Sequence, residues 1–352
     1  MSVKMSLTRG QYAWFSTYEA KNTTSIQKQN TELKMENHQR LNVEKQSPDW
    51  LIYWLVGLTE GDGTFSIDKQ HKSKGYPVWN LVFKISLKQS NIRALMKAKA
   101  VLGVGKIETT PDGMVTLRIR DRTLLKKYIF PIFDRIPLLS SKHYDYIRLR
   151  QVARLLDNSS LSREERHLKI TAIYSLASSR EAVAPIWHQK LFFCGCEFSR
   201  NPDGSPCLEG LDLKKPQIET VLSLPWISGF LEADGSFFIV KKDETRFCHA
   251  FGVTQTGNFL LMQALRSYFK IGAQVLFRHP VSFQGQKRQG YYKLETTNWR
   301  SLQRIREIML KNLLGIKAVE FRIWERSMKS RGNPKKLEKI QQLLRKMRKR
   351  WK

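Results

Sequence analysis

Two short acidic stretches hold the residue types best suited to chemistry. Glu60-Gly61-Asp62-Gly63 and Glu232-Ala233-Asp234-Gly235 each close an apolar run with an acid and a glycine. The runs, Leu51–Gly61 and Ile227–Ala233, read as helices, so Asp62 and Asp234 fall at helix C-termini, where the dipole leaves about −0.5 charge and the last carbonyls lack intrahelical partners. An anion is unfavourable there unless a cation compensates it. Mg²⁺ suits the place, because carboxylate and main-chain carbonyl oxygens are both hard ligands. Gly63 and Gly235 are expected in the left-handed conformation that follows many helix ends.

The two stretches belong to an internal repeat. A shift of 172 residues lays Trp54–Ile67 on Trp226–Ile239 with seven of fourteen positions identical, which points to a duplicated domain rather than a solenoid. Gly57 with Gly61, and Gly229 with Ala233, form stripes of small residues that let two helices pack backbone to backbone. That packing would bring Asp62 and Asp234 to a pseudo-twofold axis. Two metal-assisted hydrolytic centres, one per strand of a duplex, need this arrangement, with the ions polarising a phosphodiester and activating water.

The elements that position the acids follow the same order in each copy. After the first acid come strands at Thr64–Asp68 and Asn80–Leu87, a helix at Ile92–Leu102, strands at Lys106–Thr110 and Val115–Arg120, and helices at Thr123–Phe133 and Lys142–Leu156. The second copy predicts Ser236–Lys241, His249–Thr254, Phe259–Phe269, Gln274–Arg278, Tyr291–Thr296, Trp299–Leu310 and Lys317–Ser327. The fold class is therefore α+β, built from two pseudo-symmetric αββαββα repeats. The domain reading is a polar flexible extension over 1–47, a first repeat over 48–178, a Pro- and Gly-bearing linker over 179–222, a second repeat over 223–328, and a basic helix or tail over 329–352. That last segment has eleven basic residues against one acidic; it either touches phosphates or stays solvated.

Composition agrees with a polyanion partner. The 352 residues carry 61 Lys+Arg against 31 Asp+Glu, a net charge of +30, and 41% hydrophobic residues exclude wholesale disorder. No apolar run reaches the ~18–20 residues of a membrane span, no secretory signal opens the chain, and no membrane partner is expected. Four cysteines are too few for a disulfide framework. Cys194, Cys196 and Cys207 with His188 match no common zinc spacing, and free thiols are the preferred reading.

Basic residues alternate with apolar ones along the strands, as a half-buried sheet on DNA requires. Arg118 and Arg120 oppose Leu117 and Ile119; Lys84, Ser86 and Lys88 oppose Phe83, Ile85 and Leu87. Gln89 follows in the first repeat, and Lys241, Gln255, Arg278, Lys293 and Glu295 are the counterparts in the second. Arginine bidentate to guanine and glutamine to adenine are the usual base contacts, with phosphate contact the other use of such residues.

Leu55–Gly63 (LVGLTEGDG) and Ile227–Gly235 (ISGFLEADG) resemble the paired signatures of LAGLIDADG homing endonucleases in their single-chain form, with the resemblance running from about Asp49 to Ser327. It implies a monomeric pseudo-dimer whose motif helices form the interface. Two antiparallel sheets would make a saddle over the DNA major groove, and metal-dependent cleavage would leave short 3′ overhangs. By position it implies Asp62 and Asp234 as metal ligands, the main-chain carbonyls of Gly61 and Ala233 beside them, and two or three divalent ions per site cluster. Glu60 and Glu232 would be structural. Lys142, in PLLSSK, and Lys317, in NLLGIK, match a basic residue near the site, and both also read as plain surface lysines. The resemblance further implies intron homing, an alternative or additional role as a maturase for its own group I intron RNA, and organellar residence, mitochondrial or alternatively chloroplast.

Overall fold

The computed structural model describes residues 47–71, 75–176, 179–180, 182–193, 213, 215–279, 282–283, 286–287 and 289–350. Residues 1–46 of the extension expected over 1–47, and the Cys194, Cys196 and Cys207 set, lie outside them. The described residues from Ile52 onward belong to one compact unit. Among the described residues no helix is long and apolar enough to cross a membrane.

The first repeat runs α1 (Pro48–Asp62), β1 (Gly63–Gln70), β2 (Val78–Lys88), α2 (Ile92–Leu102), β3 (Lys106–Thr109), β4 (Met114–Ile119), α3 (Phe130–Arg135), α4 (Lys142–Asp157) and α5 (Arg163–Ser175). Two short helices follow, α6 (Pro185–Phe193) and α7 (Lys215–Glu219). The second repeat is α8 (Leu224–Asp234), β5 (Gly235–Lys241), β6 (Phe247–Gln255), α9 (Phe259–Tyr268), β7 (Leu276–Arg278), the small hairpin β8 (Ser282–Phe283) and β9 (Gln286–Lys287), β10 (Tyr291–Thr296), α10 (Trp299–Met309) and α11 (Ile316–Ser327). A last helix, α12, spans Pro334–Arg350. Two four-stranded antiparallel sheets result, in the matching orders β1-β2-β4-β3 and β5-β6-β10-β7.

Each sheet buries one face because apolar residues fall at every second position. Phe65 and Phe83 meet Phe133 and Tyr146, with Phe65 and Phe133 centroids 5.0 Å apart. In the second repeat Phe237 and Phe251 meet Phe321 and Trp324, with Phe237 and Phe321 at 4.9 Å. Such edge-to-face pairs add about 0.5–1.5 kcal/mol each beyond area burial.

Three expectations change. The helix expected over Thr123–Phe133 is a helical turn at Arg122–Leu124, a π-turn at Leu125–Ile129 and then α3. Pro131 explains the break, since it offers no N–H and its ring crowds the carbonyl four residues back. The expected linker holds α6 and α7, and Trp187 of α6 is buried with its indole N–H donating to Leu139 O at 2.7 Å. Finally, α12 is not a free tail. Leu337 and Ile340 pack on Ile239 and Phe247, and Gln341 donates to Ile239 O at 2.8 Å. Its inner face is covered by the second sheet while Lys335, Lys336, Lys339, Arg345 and Lys346 keep to the other sides.

Candidate active site at the motif-helix interface

The small-residue stripes bring α1 and α8 together without an intervening side chain. A Cβ on Gly57 would lie 1.9 Å from Trp226 O, and one on Gly229 would lie 1.9 Å from Trp54 O. One turn on, a Cβ on Gly61 would lie 2.3 Å from Ala233 Cβ and 3.0 Å from Asp234 Oδ2. The expected interface residues Gly57, Gly61, Gly229 and Ala233 are thus together, and the two acids sit at its end. Gly63 and Gly235 do this differently from the expectation. Gly235 is extended (φ −70°, ψ 149°), and Gly63 has no positive φ either. Each begins a strand directly off its helix, and a Cβ would lie 2.5 Å from Thr59 O or 2.6 Å from Leu231 O. Close approach to the last helical turn, not left-handed backbone, is what requires glycine there.

Burial raises the carboxyl pKa of Asp62. Burial, then the nearby Asp62 charge, pushes Asp234 up to about 7. Asp234 Oδ2 is also buried without a hydrogen-bond partner. Two desolvated carboxylates facing one another, one oxygen unmet, fit a divalent cation well. Among the described residues no group of three or more His, Cys, Asp or Glu is arranged to hold a metal, so the donors available are these two carboxylates and the helix-end carbonyls. Gly61 O already accepts a hydrogen bond from Lys142 Nζ at 2.6 Å, with Thr59 O at 3.2 Å. A lysine therefore supplies part of the positive charge the helix end calls for, and burial lowers the Lys142 pKa.

Glu60 and Glu232 explain why the lysines stand where they do. Glu60 is fully buried and accepts from Leu139 N at 2.8 Å and Ser140 N at 3.0 Å, just before α4. Glu232 accepts from Leu314 N and Lys317 N, both at 3.1 Å, at the start of α11. Each glutamate of a motif helix ties down the turn that presents Lys142 or Lys317. Burial raises the pKa of both glutamates, while the accepted hydrogen bonds oppose it.

A second tie crosses between the repeats and has no motif to announce it. Asn91, ahead of α2, accepts from Ile316 N at 2.9 Å, and Asn258, ahead of α9, accepts from Ser141 N at 2.9 Å. Each asparagine holds the head of the lysine helix in the opposite repeat. Gly315 permits the approach, since a Cβ there would lie 2.3 Å from both Asn91 Oδ1 and Glu232 Oε1.

A groove of about 400 Å³ opens beside the interface, lined among others by Asp62, Ser86, Lys88, Lys317, Glu320 and Arg348. The open face of the first sheet carries Lys84 beside Arg118, with Lys106 across from Arg118. Arg118 is held by Glu108 at 3.1 Å, and Ser86 shares a 2.9 Å hydrogen bond with Thr116. Arg120 is exposed just beyond β4, and Lys88 is exposed at the end of β2. Gln89 leaves the sheet in a 3-10 turn. On the second sheet Lys293, paired with Glu295 at 2.5 Å, shares the open face with Arg278, while Lys241 lies exposed at the end of β5. Gln255 falls on the same side as buried Phe251 and Val253, opposite Tyr292. Its neighbour Thr254, exposed and paired with Lys293, is the residue that the strand alternation turns outward.

The profile of the LAGLIDADG endonuclease family matches residues 55–153 and 227–328, more than half of the chain. A probable intron-encoded endonuclease, Cox1-I1b, of Schizosaccharomyces pombe is 28% identical over 299 residues, covering 84% of this chain and 68% of the relative. Probable intron-encoded endonuclease 3 of Neurospora crassa is 30% identical over 128 residues, 36% of this chain and 23% of that protein. Among solved structures, the meganuclease I-SmaMI bound to uncleaveable DNA superposes with a TM-score of 0.63 at 21% identity, covering 83% of this chain and 95% of that one. I-AabMI bound to uncleaved DNA gives 0.60 at 21%, covering 83% and 98%.

Proposed function

Because the chain belongs to the LAGLIDADG endonuclease family, we propose that it is a site-specific DNA endonuclease that cuts both strands of a duplex target, leaves short 3′ overhangs and promotes homing of the intron that encodes it. The observation that carries this reading is the meeting of Asp62 and Asp234 at the α1–α8 contact, with Lys142 and Lys317 presented to them by Glu60 and Glu232.

Asp62 and Asp234, with the main-chain oxygens of Gly61 and Ala233, would hold Mg²⁺. Bound there, the metal supplies charge neutralisation at the scissile phosphate and lowers the pKa of water. The protein does the rest by placement. The basic open faces of the two sheets hold the duplex through its phosphates and read base edges, with Lys84, Ser86, Lys88, Arg118, Arg120, Lys241, Arg278 and Lys293 as the contacts. Lys142 and Lys317 stabilise negative charge developing on the phosphate. Burial disfavours the charged form of both carboxylates, so a bound cation would favour their ionisation and metal binding would release protons. The single chain supplies both halves and works as a monomer.

The second-sheet contacts differ in type from those of the first, which supports an asymmetric target. Intact acids in both motifs support cleavage over a purely RNA-directed maturase role on the chain's own intron. Mitochondrial residence follows the intron-encoded fungal relatives. The experiment is direct: purified protein with Mg²⁺ is incubated with DNA spanning the joined exons of the intronless allele. Double-strand cleavage at the junction is expected, lost in Asp62→Asn and Asp234→Asn while duplex binding survives. Unimpaired cleavage by both variants would remove the site assignment.

A further inference from the structure

Each of the two lysines has an acid three residues further along its helix, and each acid is met by an arginine. On α4 the set is Lys142, Asp145 and Arg148, with the Arg148 guanidinium paired to Asp145. On α11 the corresponding residues are Lys317, Glu320 and Ile323, so the helix cannot supply its own arginine. Arg348 of α12 takes that place from 28 residues away, with Nη2 3.1 Å from Glu320 Oε2 and Nε 3.4 Å from Oε1. Nη2 also donates to Phe237 O at 2.9 Å, which fixes the guanidinium to the edge of β5.

The Glu320 side chain is 5% exposed and its Oε2 lies 4.0 Å from Lys317 Nζ. A carboxylate that buried needs a charged partner. Without Arg348 the nearest is Lys317, and a closer pairing with Glu320 would compete with its interaction with Asp62 and Asp234. With Arg348 in two-point contact, the charge of Glu320 is met by a planar, permanently charged fork, and Lys317 remains on the groove wall with Asp62. We infer that Arg348 is a positioning residue of the second centre, holding Glu320 so that Lys317 stays at the acid pair. The inference rests on the endonuclease reading above. It makes α12, which lies beyond the segments matched to the family, part of one reactive half and not of the other.

The consequence is strand-specific. Losing Arg348 should slow the cut that depends on Lys317 while the Lys142 half, with its intrahelical Asp145–Arg148 pair, continues. The test uses a supercoiled plasmid carrying the joined-exon sequence, each strand end-labelled in a parallel linear substrate. Arg348→Gln should accumulate nicked circles, always cut in the same strand, with the other cut slowed about 10–100-fold, the scale expected for a misplaced group. Melting temperature should fall, because a buried ion pair is broken, while duplex affinity measured in Ca²⁺ below that melting range should change little. Arg348→Lys should recover part of the balance. The double variant Glu320→Gln/Arg348→Gln should recover more, because no buried carboxylate is left to capture Lys317. Equal slowing of both strands, weakened duplex binding that accounts for the loss, or a double variant no better than Arg348→Gln would overturn the inference. If Arg348→Gln fails to fold, the double variant alone decides: balanced cutting supports the role, and persistent nicking refutes it. A wild-type protein that leaves the plasmid intact would instead count against the endonuclease reading.

Discussion

Replacing Asp234 with asparagine should stabilise the metal-free protein, and the gain should shrink as pH falls. In the folded chain the Asp234 carboxyl ionises near pH 7 against an ordinary 3.8. Between those values the folded state therefore binds more protons than the unfolded state, and stability is lost as pH rises through the window. At about 1.4 kcal/mol per pKa unit, the raised pKa costs about 4 kcal/mol of stability at pH 8, where the folded carboxyl is ionised against its burial. At pH 5.5 it costs about 2 kcal/mol, because the folded carboxyl must take up a proton the unfolded chain lacks. Asparagine keeps the shape but leaves a buried amide short of a partner, which returns about 1–2 kcal/mol of cost. The net gain is then about 2–3 kcal/mol at pH 8, or about 4–6 °C in melting temperature for a body of this size, and close to nothing at pH 5.5. Calorimetry in EDTA at the two pH values measures this. Mg²⁺ added at pH 8 should raise the melting temperature of the wild type and leave the variant nearly unmoved. A variant that melts at or below wild type at pH 8, or a difference that ignores pH, would refute the account of two compressed carboxylates awaiting a cation.

Other expectations follow from single contacts. Gly57→Ala places a methyl against Trp226 O and should cost about 3 kcal/mol or more in a urea titration by prying the motif helices apart. Asn258→Ala leaves Ser141 N without its acceptor; a loss of about 1–3 kcal/mol should come with slower cleavage at unchanged duplex affinity. His249, whose Nε2 lies 2.8 Å from Ser327 Oγ, is held by burial at a pKa of about 4. Because its folded pKa lies below the usual 6.5, it withdraws stability as pH falls from 6.5 to 4, by about 3 kcal/mol. His249→Gln should flatten that acid limb in pH-dependent melting.

The repeat and its consequences were legible because they are local. Glycine spacing and terminal acids are written within one helical turn, and the αββαββα order follows from periodicity, so α2, α4, β10 and α11 come out within a residue or two of expectation. Lys142 and Lys317 were found only through the family resemblance. The roles of Glu60 and Glu232 as ties for those lysines, by contrast, depend on turns about 80 residues away. Asn91, Asn258, Glu320 and Arg348 were missed altogether, since asparagine in a turn and acid or base on a basic helix carry no local signature. Gln255, expected as a base contact, lies half-exposed at the strand end on the side of Phe251 and Val253, as alternation along β6 requires. The basic end of the chain advertised charge, whereas its docking is set by Leu337, Gln341 and Leu344 at helical spacing on the opposite side.

The crossed asparagines limit how modular the duplicated halves can be. Lys317 depends on Asn91 and Lys142 on Asn258, so neither half owns a finished centre. Expressed apart, each half would present a lysine helix with an unmet leading N–H, and each would lack the acid of its partner. Exchanging one half for that of a relative would preserve the small-residue contact and still fail unless the incoming turn ahead of α2 or α9 brought an acceptor to the same spot. Gene fusion of an ancestral pair would then have left a record beyond the two signatures: a reciprocal bracket under which the two halves can diverge in what they read on DNA while remaining bound to one another in how they cut it.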